Sequence, residues 1–219
     1  MNLVKQKIVI GIIILIALAP AAGCAGRQLS NRQKLELQIQ KIHENNKKAC
    51  AEGCVAFEGD SNVELINFQE YFSEPACNYA HRGSRTNDLL MRKEKLYRIK
   101  PSAIVMLVGG NDVITQVPPQ ESAGNYEKLI GYYKTFCKNV YCISNLPVSP
   151  EIPEKNSDME RLNASLSQVC RKLGATYVNV YPHLRKNGGL NPYYAMDPVH
   201  LNKAGQDILV GVLKKYMGK

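Results

Sequence analysis

Short apolar runs alternate with longer stretches of helical periodicity through most of this chain. Five runs suit buried strands in length and residue type, at residues 55–58, 76–80, 103–108, 140–143 and 176–180, with 76–80 the weakest. Helical patterns fall between and after them, at residues 86–99, 126–137, 158–173 and 203–216. The alternation predicts βαβ units, and therefore an α/β fold in which helices cover both faces of a parallel five-stranded sheet.

The amino terminus departs from this pattern. Lys5 and Lys7 precede an uncharged run at residues 8–18, and mostly small residues follow as far as Cys24. This is the layout of an export signal. The run is shorter than the roughly 20 residues of a membrane span, and Pro20 would interrupt a helix that continued through it. The sequence therefore predicts a signal peptide over residues 1–23, with an uncleaved anchor as the weaker alternative.

The end of this segment, Ala21-Ala22-Gly23-Cys24, resembles a bacterial lipobox, in which the cysteine becomes the acylated first residue of the mature protein. The resemblance implies a lipid on Cys24 that holds the protein to a membrane of the bacterial cell envelope, facing the periplasm or the exterior. Ala19-Pro20-Ala21 also fits an ordinary cleavage site, so a soluble secreted protein is the alternative.

Two further segments follow the signal. Residues 24–49 are largely polar and charged, with Leu35, Ile39 and Ile42 at helical spacing, which predicts a tether leading into an amphipathic helix. Residues 50–219 are expected to form one globular domain, because the chain is 45% hydrophobic and 21% charged.

The net charge points to anionic neighbours but not to a particular chemistry. The chain carries 28 basic and 19 acidic residues, a net charge of +9 that becomes +7 when the two lysines of residues 1–23 are removed. Such a surface favours envelope phosphates or anionic lipids. The basic residues are scattered, so nucleic acid is not an expected partner.

Six cysteines remain beyond Cys24, an even number that favours disulfides in an exported protein. They are Cys50, Cys54, Cys77, Cys137, Cys142 and Cys170. The pairing is left open by the sequence, although Cys50/Cys54 and Cys137/Cys142 are close enough to close local loops. Without a Cys-x-x-Cys pair or a histidine at finger-like spacing, a metal site is not expected.

Polar clusters stand where the first three strands end. Gly59-Asp60-Ser61 follows the first strand, Arg82-Gly83-Ser84 the second and Gly109-Gly110-Asn111-Asp112 the third. The carboxyl ends of parallel strands open onto one edge of a sheet, where ligands bind. A fourth cluster, Asp197-Pro198-Val199-His200, precedes the last helix and is expected to reach the same crevice.

These clusters contain the parts of a serine nucleophile and its base. Asp197 and His200 are three residues apart, so the carboxylate can hold one imidazole nitrogen while the other faces Ser61. A serine hydroxyl is a weak nucleophile without such a base. The Ser61 and Gly83 amides and the Asn111 side chain are expected donors to the oxyanion. Taken singly, each of these residues is a common turn or cap residue.

In order and spacing, the four clusters resemble the conserved blocks of the SGNH or GDSL hydrolases, over most of residues 52–216. Gly59-Asp60-Ser61 is similar to the nucleophile block, and Asn62 stands where the GDSL name has leucine. The resemblance implies a flavodoxin-like three-layer α/β/α sandwich, a Ser61, Asp197 and His200 triad, an acyl-serine intermediate, and no metal or organic cofactor. The chain lacks the Gly-x-Ser-x-Gly elbow of another hydrolase class.

The family that the chain resembles includes enzymes for several classes of ester. Because no long insertion offers a lipid-binding lid, we expect removal of short acyl groups, such as acetyl, from a glycan or related small ester. The alternatives are a lysophospholipase or thioesterase of the same family, and a non-catalytic envelope lipoprotein that binds glycan or lipid.

Several residues outside the triad and the oxyanion donors also have predicted roles. Asp60 and Asp112 are expected to hold loops and cap helices. Tyr193 and Tyr194 are candidates for the pocket wall, and His81 with Arg82 for its border. His43 and His183 are expected to be structural.

Overall fold

The computed structural model describes residues 30–219, so the predicted signal peptide and Cys24 lie outside the described residues. Five parallel strands form the central sheet: β1 (Val55–Gly59), β2 (Ala76–Asn78), β3 (Ala103–Leu107), β4 (Val140–Ile143) and β5 (Thr176–Val178). Their order is β2-β1-β3-β4-β5, and Val55 aligns with Ala76 on one side and with Ala103 on the other. This order places the topological switch between β1 and β3, the arrangement of flavodoxin-like sheets.

Helices connect and cover the strands. They are α1 (Asn31–Ala49), α2 (Ser61–Glu64), α3 (Thr86–Arg92), α4 (Gly110–Ile114), α5 (Pro119–Lys134), α6 (Pro153–Leu173), α7 (Tyr181–Leu184) and α8 (Lys203–Met217). Short 3₁₀ turns lie at Phe68–Glu70, Lys93–Lys95, Tyr97–Ile99 and Pro192–Tyr194, and a small hairpin joins β6 (Arg185–Lys186) to β7 (Gly189–Leu190).

The core has two parts, one on each face of the sheet. Ala56, Ile104 and Met106 face one side, where α3, α5 and α6 supply the packing residues. Phe57 and Val105 face the other side, together with α8 and the 3₁₀ turn at Phe68–Glu70. Alternation of side chains along each strand produces this division. The result is the predicted three-layer α/β/α sandwich.

Three helices differ from their predicted bounds for local reasons. The helix expected at 86–99 ends at Arg92 and continues as two 3₁₀ turns, since the chain then reaches Lys100 in a left-handed conformation before Pro101. Helices α5 and α6 begin earlier than expected, each at a proline. Proline suits the first helical position because its missing N–H has no intrahelical acceptor there.

Helix α1 packs against the domain. Ile39 and Ile42 are buried, and the helix contacts β2 and the 3₁₀ turn at Phe68–Glu70. Within residues 30–219, no helix combines the length and the apolar character needed to cross a membrane.

Candidate active site

The four polar clusters of the sequence meet at the carboxyl edge of the sheet. Ser61 begins α2 directly after β1, Gly83 lies in the loop after β2, and Asn111 lies in α4 after β3. Asp197 and His200 lie in the loop before α8. All five line one cavity of about 490 Å³.

Ser61, His200 and Asp197 form a continuous chain of hydrogen bonds. Ser61 Oγ lies 2.8 Å from His200 Nε2, and His200 Nδ1 lies 2.7 Å from Asp197 Oδ2. One ring nitrogen therefore contacts the serine and the other contacts the carboxylate. With a proton on Nδ1 held by the carboxylate, Nε2 is left as the acceptor for the serine proton.

The Asp197 carboxylate is fixed by its own turn. Its Oδ1 accepts hydrogen bonds from the backbone N–H groups of Val199 at 2.9 Å and His200 at 2.8 Å. Partial burial alone would raise the pKa of Asp197, but these two bonds and the bond from the His200 ring outweigh it and hold the pKa below its ordinary value. Asp197 is therefore an ionised acceptor at neutral pH.

The position of Ser61 is fixed by close packing around Gly59 and by Asp60, which caps α2. A Cβ on Gly59 would lie 2.3 Å from the Leu107 carbonyl oxygen, so this position has no room for a side chain. Asp60 Oδ1 accepts from the Asn62 N–H at 3.0 Å and caps α2. Ser61 is thus the first residue of a helix, where the backbone N–H has no intrahelical acceptor and is available to a ligand.

Asp60 itself is a buried carboxyl in the cavity wall. Burial raises its pKa to about 6, although the hydrogen bond from Asn62 and the nearby His200 lower the pKa in part. Its observed bond is a helix cap, in line with the structural role expected from the sequence.

Asn62 connects the serine to the histidine loop, a role that the sequence did not reveal. Its Nδ2 donates to the Val199 carbonyl at 3.1 Å, and its Oδ1 accepts from the Leu201 N–H at 3.1 Å. These bonds hold both sides of His200. A signal was present in the sequence, since Asn62 replaces the leucine of the GDSL name, but it carried no information about the partner.

Asn111 and Gly83 lie on another wall of the cavity. Asn111 Nδ2 donates to the Ser84 carbonyl at 3.0 Å, which fixes the amide with its nitrogen toward this loop and leaves a second N–H proton for another acceptor. Gly83 has φ of +74°, a left-handed conformation that favours glycine. The Gly83 loop and the Asn111 side chain are therefore held together.

Asp112 anchors the neighbouring helices rather than the cavity. Its carboxylate accepts from the Thr86 N–H at 2.9 Å, the Thr86 hydroxyl at 2.5 Å and the Ser122 hydroxyl at 2.8 Å. It joins the starts of α3 and α5 to α4, which agrees with the structural role predicted for it.

Arg82 and Glu64 form an ion pair at the cavity border. Arg82 Nε donates to Glu64 Oε2 at 2.9 Å, and His43 of α1 lies 3.6 Å from the other carboxylate oxygen. Arg82 thus borders the crevice as the sequence suggested, whereas His81 is not among its lining residues. Through these two contacts, Glu64 links α2 to the Gly83 loop and to α1.

Apolar side chains form much of the remaining wall. They are Ile39, Leu65, Leu107, Ile114, Leu146, Val148, Met159, Met196 and Val199. Tyr193 and Tyr194, expected as candidate wall residues, do not line this cavity; they pack edge to face, and the Tyr193 side chain is exposed. Met196, two residues further on, occupies the wall instead.

The six described cysteines are thiols, which differs from the expected disulfides. Cys137 and Cys142 have different partners. Cys137 Sγ donates to the carbonyls of Pro101 and Asn139, and Cys142 contacts Cys170. Cys50 and Cys54 both contact Cys77. Spacing in the sequence did not indicate these contacts, because the fold brings distant segments together. Cys54, just before β1, meets Cys77 of β2, and Cys142 of β4 meets Cys170 of α6.

Within residues 30–219, no three His, Cys, Asp or Glu side chains are arranged to hold a metal ion.

A family model of the GDSL-like lipase/acylhydrolase family matches residues 56–208. Among solved structures, the chain is similar to a Streptococcus pneumoniae protein provisionally described as a platelet activating factor. The TM-score is 0.69 with 26% identity, over 85% of this chain and 95% of that one. An acetylxylan esterase from Geobacillus stearothermophilus, a catalytic mutant, aligns with a TM-score of 0.66 and 18% identity, over 77% of this chain and 95% of that one.

Curated relatives match only in part. An N-acylneuraminate cytidylyltransferase of Streptococcus agalactiae is 23% identical over 154 residues, which cover 69% of this chain and 35% of that protein. The chain thus spans about a third of the length of this relative. The family match covers most of the sandwich, including the clusters that carry Ser61, Gly83, Asn111, Asp197 and His200. The chain therefore belongs to the GDSL-like lipase/acylhydrolase family.

Proposed function

We propose that Ser61, His200 and Asp197 hydrolyse an ester through an acyl-serine intermediate. The observation that carries this proposal is the pair of contacts at His200, 2.8 Å to Ser61 Oγ and 2.7 Å to Asp197 Oδ2. A base within hydrogen-bonding reach of a serine, itself oriented by a carboxylate, is the arrangement that activates a hydroxyl.

In the first half of the reaction, Ser61 Oγ forms a bond to the carbonyl carbon and its proton passes to His200 Nε2. The tetrahedral intermediate then breaks the bond to the alcohol oxygen, which takes the proton from His200. In the second half, water attacks the acyl-serine and gives its proton to His200. Collapse releases the carboxylic acid, and the proton returns to Ser61 Oγ.

Asp197 stays ionised during these steps because its hydrogen bonds favour the charged form. It orients the His200 ring and stabilises the imidazolium that forms when Nε2 takes the proton. Asp197 does not itself need to accept a proton.

The oxyanion is assigned to three donors: the Ser61 N–H, the Gly83 N–H and the Asn111 side-chain amide. Support comes from their shared position on the cavity and from the Ser84 carbonyl, which orients the Asn111 nitrogen. Preorganised donors stabilise the transition state without having to reorient during the reaction.

The proposal is tested with 4-nitrophenyl esters from acetyl to dodecanoyl, comparing the wild type with Ser61→Ala. Ser73→Ala is the matched control, because Ser73 is an exposed serine outside the cavity. We expect hydrolysis by the wild type and by Ser73→Ala, and loss of at least about 10³-fold in kcat with Ser61→Ala. Equal activity of all three proteins would refute the triad.

We propose short acyl groups on a carbohydrate or a related small ester as the substrate class. Support comes from the compact domain and from two similar proteins whose names concern carbohydrates, the acetylxylan esterase and the N-acylneuraminate cytidylyltransferase. This assignment is tested directly by incubating the protein with an acetylated xylo-oligosaccharide and measuring the acetate released. Faster turnover of dodecanoyl than acetyl esters would contradict it.

The apolar cavity wall favours a second candidate, an ester or thioester with a longer acyl chain, as in a lysophospholipase or thioesterase. Apolar side chains such as Leu65, Leu146 and Met159 stabilise buried methylene groups. The same ester series separates the two candidates by the chain length at which kcat/KM is greatest. A glycan- or lipid-binding protein without turnover would bind these ligands but hydrolyse no ester.

We also propose that lipid-modified Cys24 anchors the mature protein to the bacterial envelope, with secretion as the alternative. The basis is the charged, apolar and small-residue order of residues 1–24. Mass analysis of the mature amino terminus tests this. An acylated Cys24 supports the anchor, whereas an unmodified amino terminus near this position supports secretion.

A further inference from the structure

Helix α1 lies outside the family domain but contributes to its cavity. The family model begins at residue 56, whereas α1 ends at Ala49. Ile39, from the middle of α1, nevertheless lines the same cavity as Ser61 and is only 9% exposed. One wall of the cavity is therefore supplied by a segment that the family domain does not include.

Two contacts fix α1 in this position. Ile42 is 4% exposed, and the His43 ring lies 3.6 Å from the Glu64 carboxylate. Residues 39, 42 and 43 share one face of the helix, because side chains three and four positions apart are neighbours. Glu64 belongs to α2, which begins at Ser61, so the contact ties α1 to the helix that carries the serine.

The chemistry of the triad indicates which part of the substrate meets this wall. His200 delivers a proton to the leaving alcohol, so the alcohol must lie on the His200 side of Ser61, where Met196 and Val199 also line the cavity. Ile39 meets the cavity beside the end of α2 and the Gly83 loop, because the neighbouring His43 lies 3.6 Å from Glu64, which in turn pairs with Arg82 at 2.9 Å. With the alcohol assigned to the His200 side, the acyl group is assigned to this part of the cavity.

We infer that Ile39 is a specificity-determining residue that limits the length of the acyl chain. This inference rests on the proposed acyl-serine function. Ile39 touches the cavity as an aliphatic side chain with no polar group, so its influence is exerted through volume. Replacement by alanine removes three carbons and opens a corresponding space, whereas a larger side chain reduces it.

The test measures kcat/KM over 4-nitrophenyl esters from acetyl to dodecanoyl for Ile39→Ala and Ile39→Phe. For Ile39→Ala, we expect the preferred chain to lengthen by about two to three carbons. Each extra buried methylene is worth about fourfold, so the ratio of long-chain to short-chain kcat/KM should rise by at least about tenfold. Ile39→Phe should shorten the preferred chain.

Two variants separate an effect of cavity volume from a general effect of truncation on α1. Leu37→Ala makes a comparable aliphatic truncation at a side chain that is 52% exposed on the same helix. Ile39→Val, a milder change, should move the profile in the same direction as alanine but by less. Leu37→Ala should leave the preferred chain length unchanged.

An unchanged profile in Ile39→Ala would overturn the inference, as would an equal change in Leu37→Ala. A change confined to a series of acetate esters with different alcohols would also overturn it, because Ile39 would then meet the alcohol. To separate this inference from the proposed function, binding of straight-chain fatty acids to Ser61→Ala is measured with and without Ile39→Ala. A longer preferred fatty acid supports the role of Ile39 even if no ester is hydrolysed, and an unchanged preference contradicts it.

Discussion

Replacement of Glu58 by Gln is expected to remove a pH dependence of stability that the burial of this side chain creates. Glu58 lies in β1 and is completely buried. Arg92 of α3 lies 3.3 Å from its Oε2, while Oε1 has no hydrogen-bond partner among the described residues. The buried Tyr133 ring and the more distant charge of Lys95 also face this carboxyl.

Burial raises the pKa of Glu58 from 4.5 to about 7, even though the charge and hydrogen bonds of Arg92 act in the opposite direction. Between these two pH values the folded protein holds one more proton than the unfolded chain. The free energy of unfolding therefore falls as pH rises, by about 1.4 kcal/mol per pH unit. Over the whole interval this amounts to about 3 kcal/mol, present at acidic pH and lost above pH 7.

Gln has nearly the same shape and does not titrate, so Glu58→Gln should match the wild type near pH 4.5 and exceed its stability by about 3 kcal/mol near pH 8. Urea unfolding at several pH values measures the difference, with tyrosine fluorescence as the signal because the chain has 12 tyrosines and no tryptophan. Glu52→Gln is the control, since the Glu52 side chain is 72% exposed. Parallel stability curves for Glu58→Gln and the wild type between pH 5 and 8 would show that burial does not raise the pKa of Glu58.

Three further predictions concern the site and the cysteines. Asn111→Ala should lower kcat by about 10²- to 10³-fold with less effect on KM, because one oxyanion donor is lost. Steady-state kinetics measure this, and an unchanged kcat would show that Asn111 is not an oxyanion donor. Asp197→Asn should lower kcat by roughly 10³- to 10⁴-fold, since the amide no longer stabilises the imidazolium; a loss below tenfold would contradict its assigned role. An oxidised dithiol should link Cys77 to Cys50 rather than to Cys54. Hydrogen bonding from Cys77 lowers the pKa of both thiols, but Cys50 is partly exposed whereas Cys54 is buried, so an oxidant reaches Cys50 more readily. Peptide mapping that finds Cys54 in the disulfide would contradict this.

The arrangement of strands, and the presence of these polar residues on one cavity, could be predicted because both leave local signals. Apolar runs followed by Gly-Asp-Ser or Gly-Gly-Asn-Asp indicate a strand and the polar residues at its end. The parallel sheet then brings Ser61, Gly83 and Asn111 to one edge, and the structure places them on one cavity with Asp197 and His200. The prediction therefore required no knowledge of contacts between these residues.

Contacts between distant segments could not be predicted in the same way. Ile39 has the spacing of an ordinary packing residue, and its place on the cavity depends on how α1 docks. Asn62 holds the His200 loop across 139 residues of chain, through a pairing that only the fold defines. The cysteines illustrate the same limit, because Cys142 contacts Cys170 instead of the nearby Cys137.

Ser61 is proposed as the activated nucleophile. A fluorophosphonate reagent, which phosphonylates activated serines, tests it most directly when labelling is followed by peptide mass analysis. We expect a single phosphonyl group on Ser61, with loss of ester hydrolysis in proportion to labelling and no label in Ser61→Ala. Labelling of another serine with the same loss of activity, or full activity after Ser61 is labelled, would contradict it.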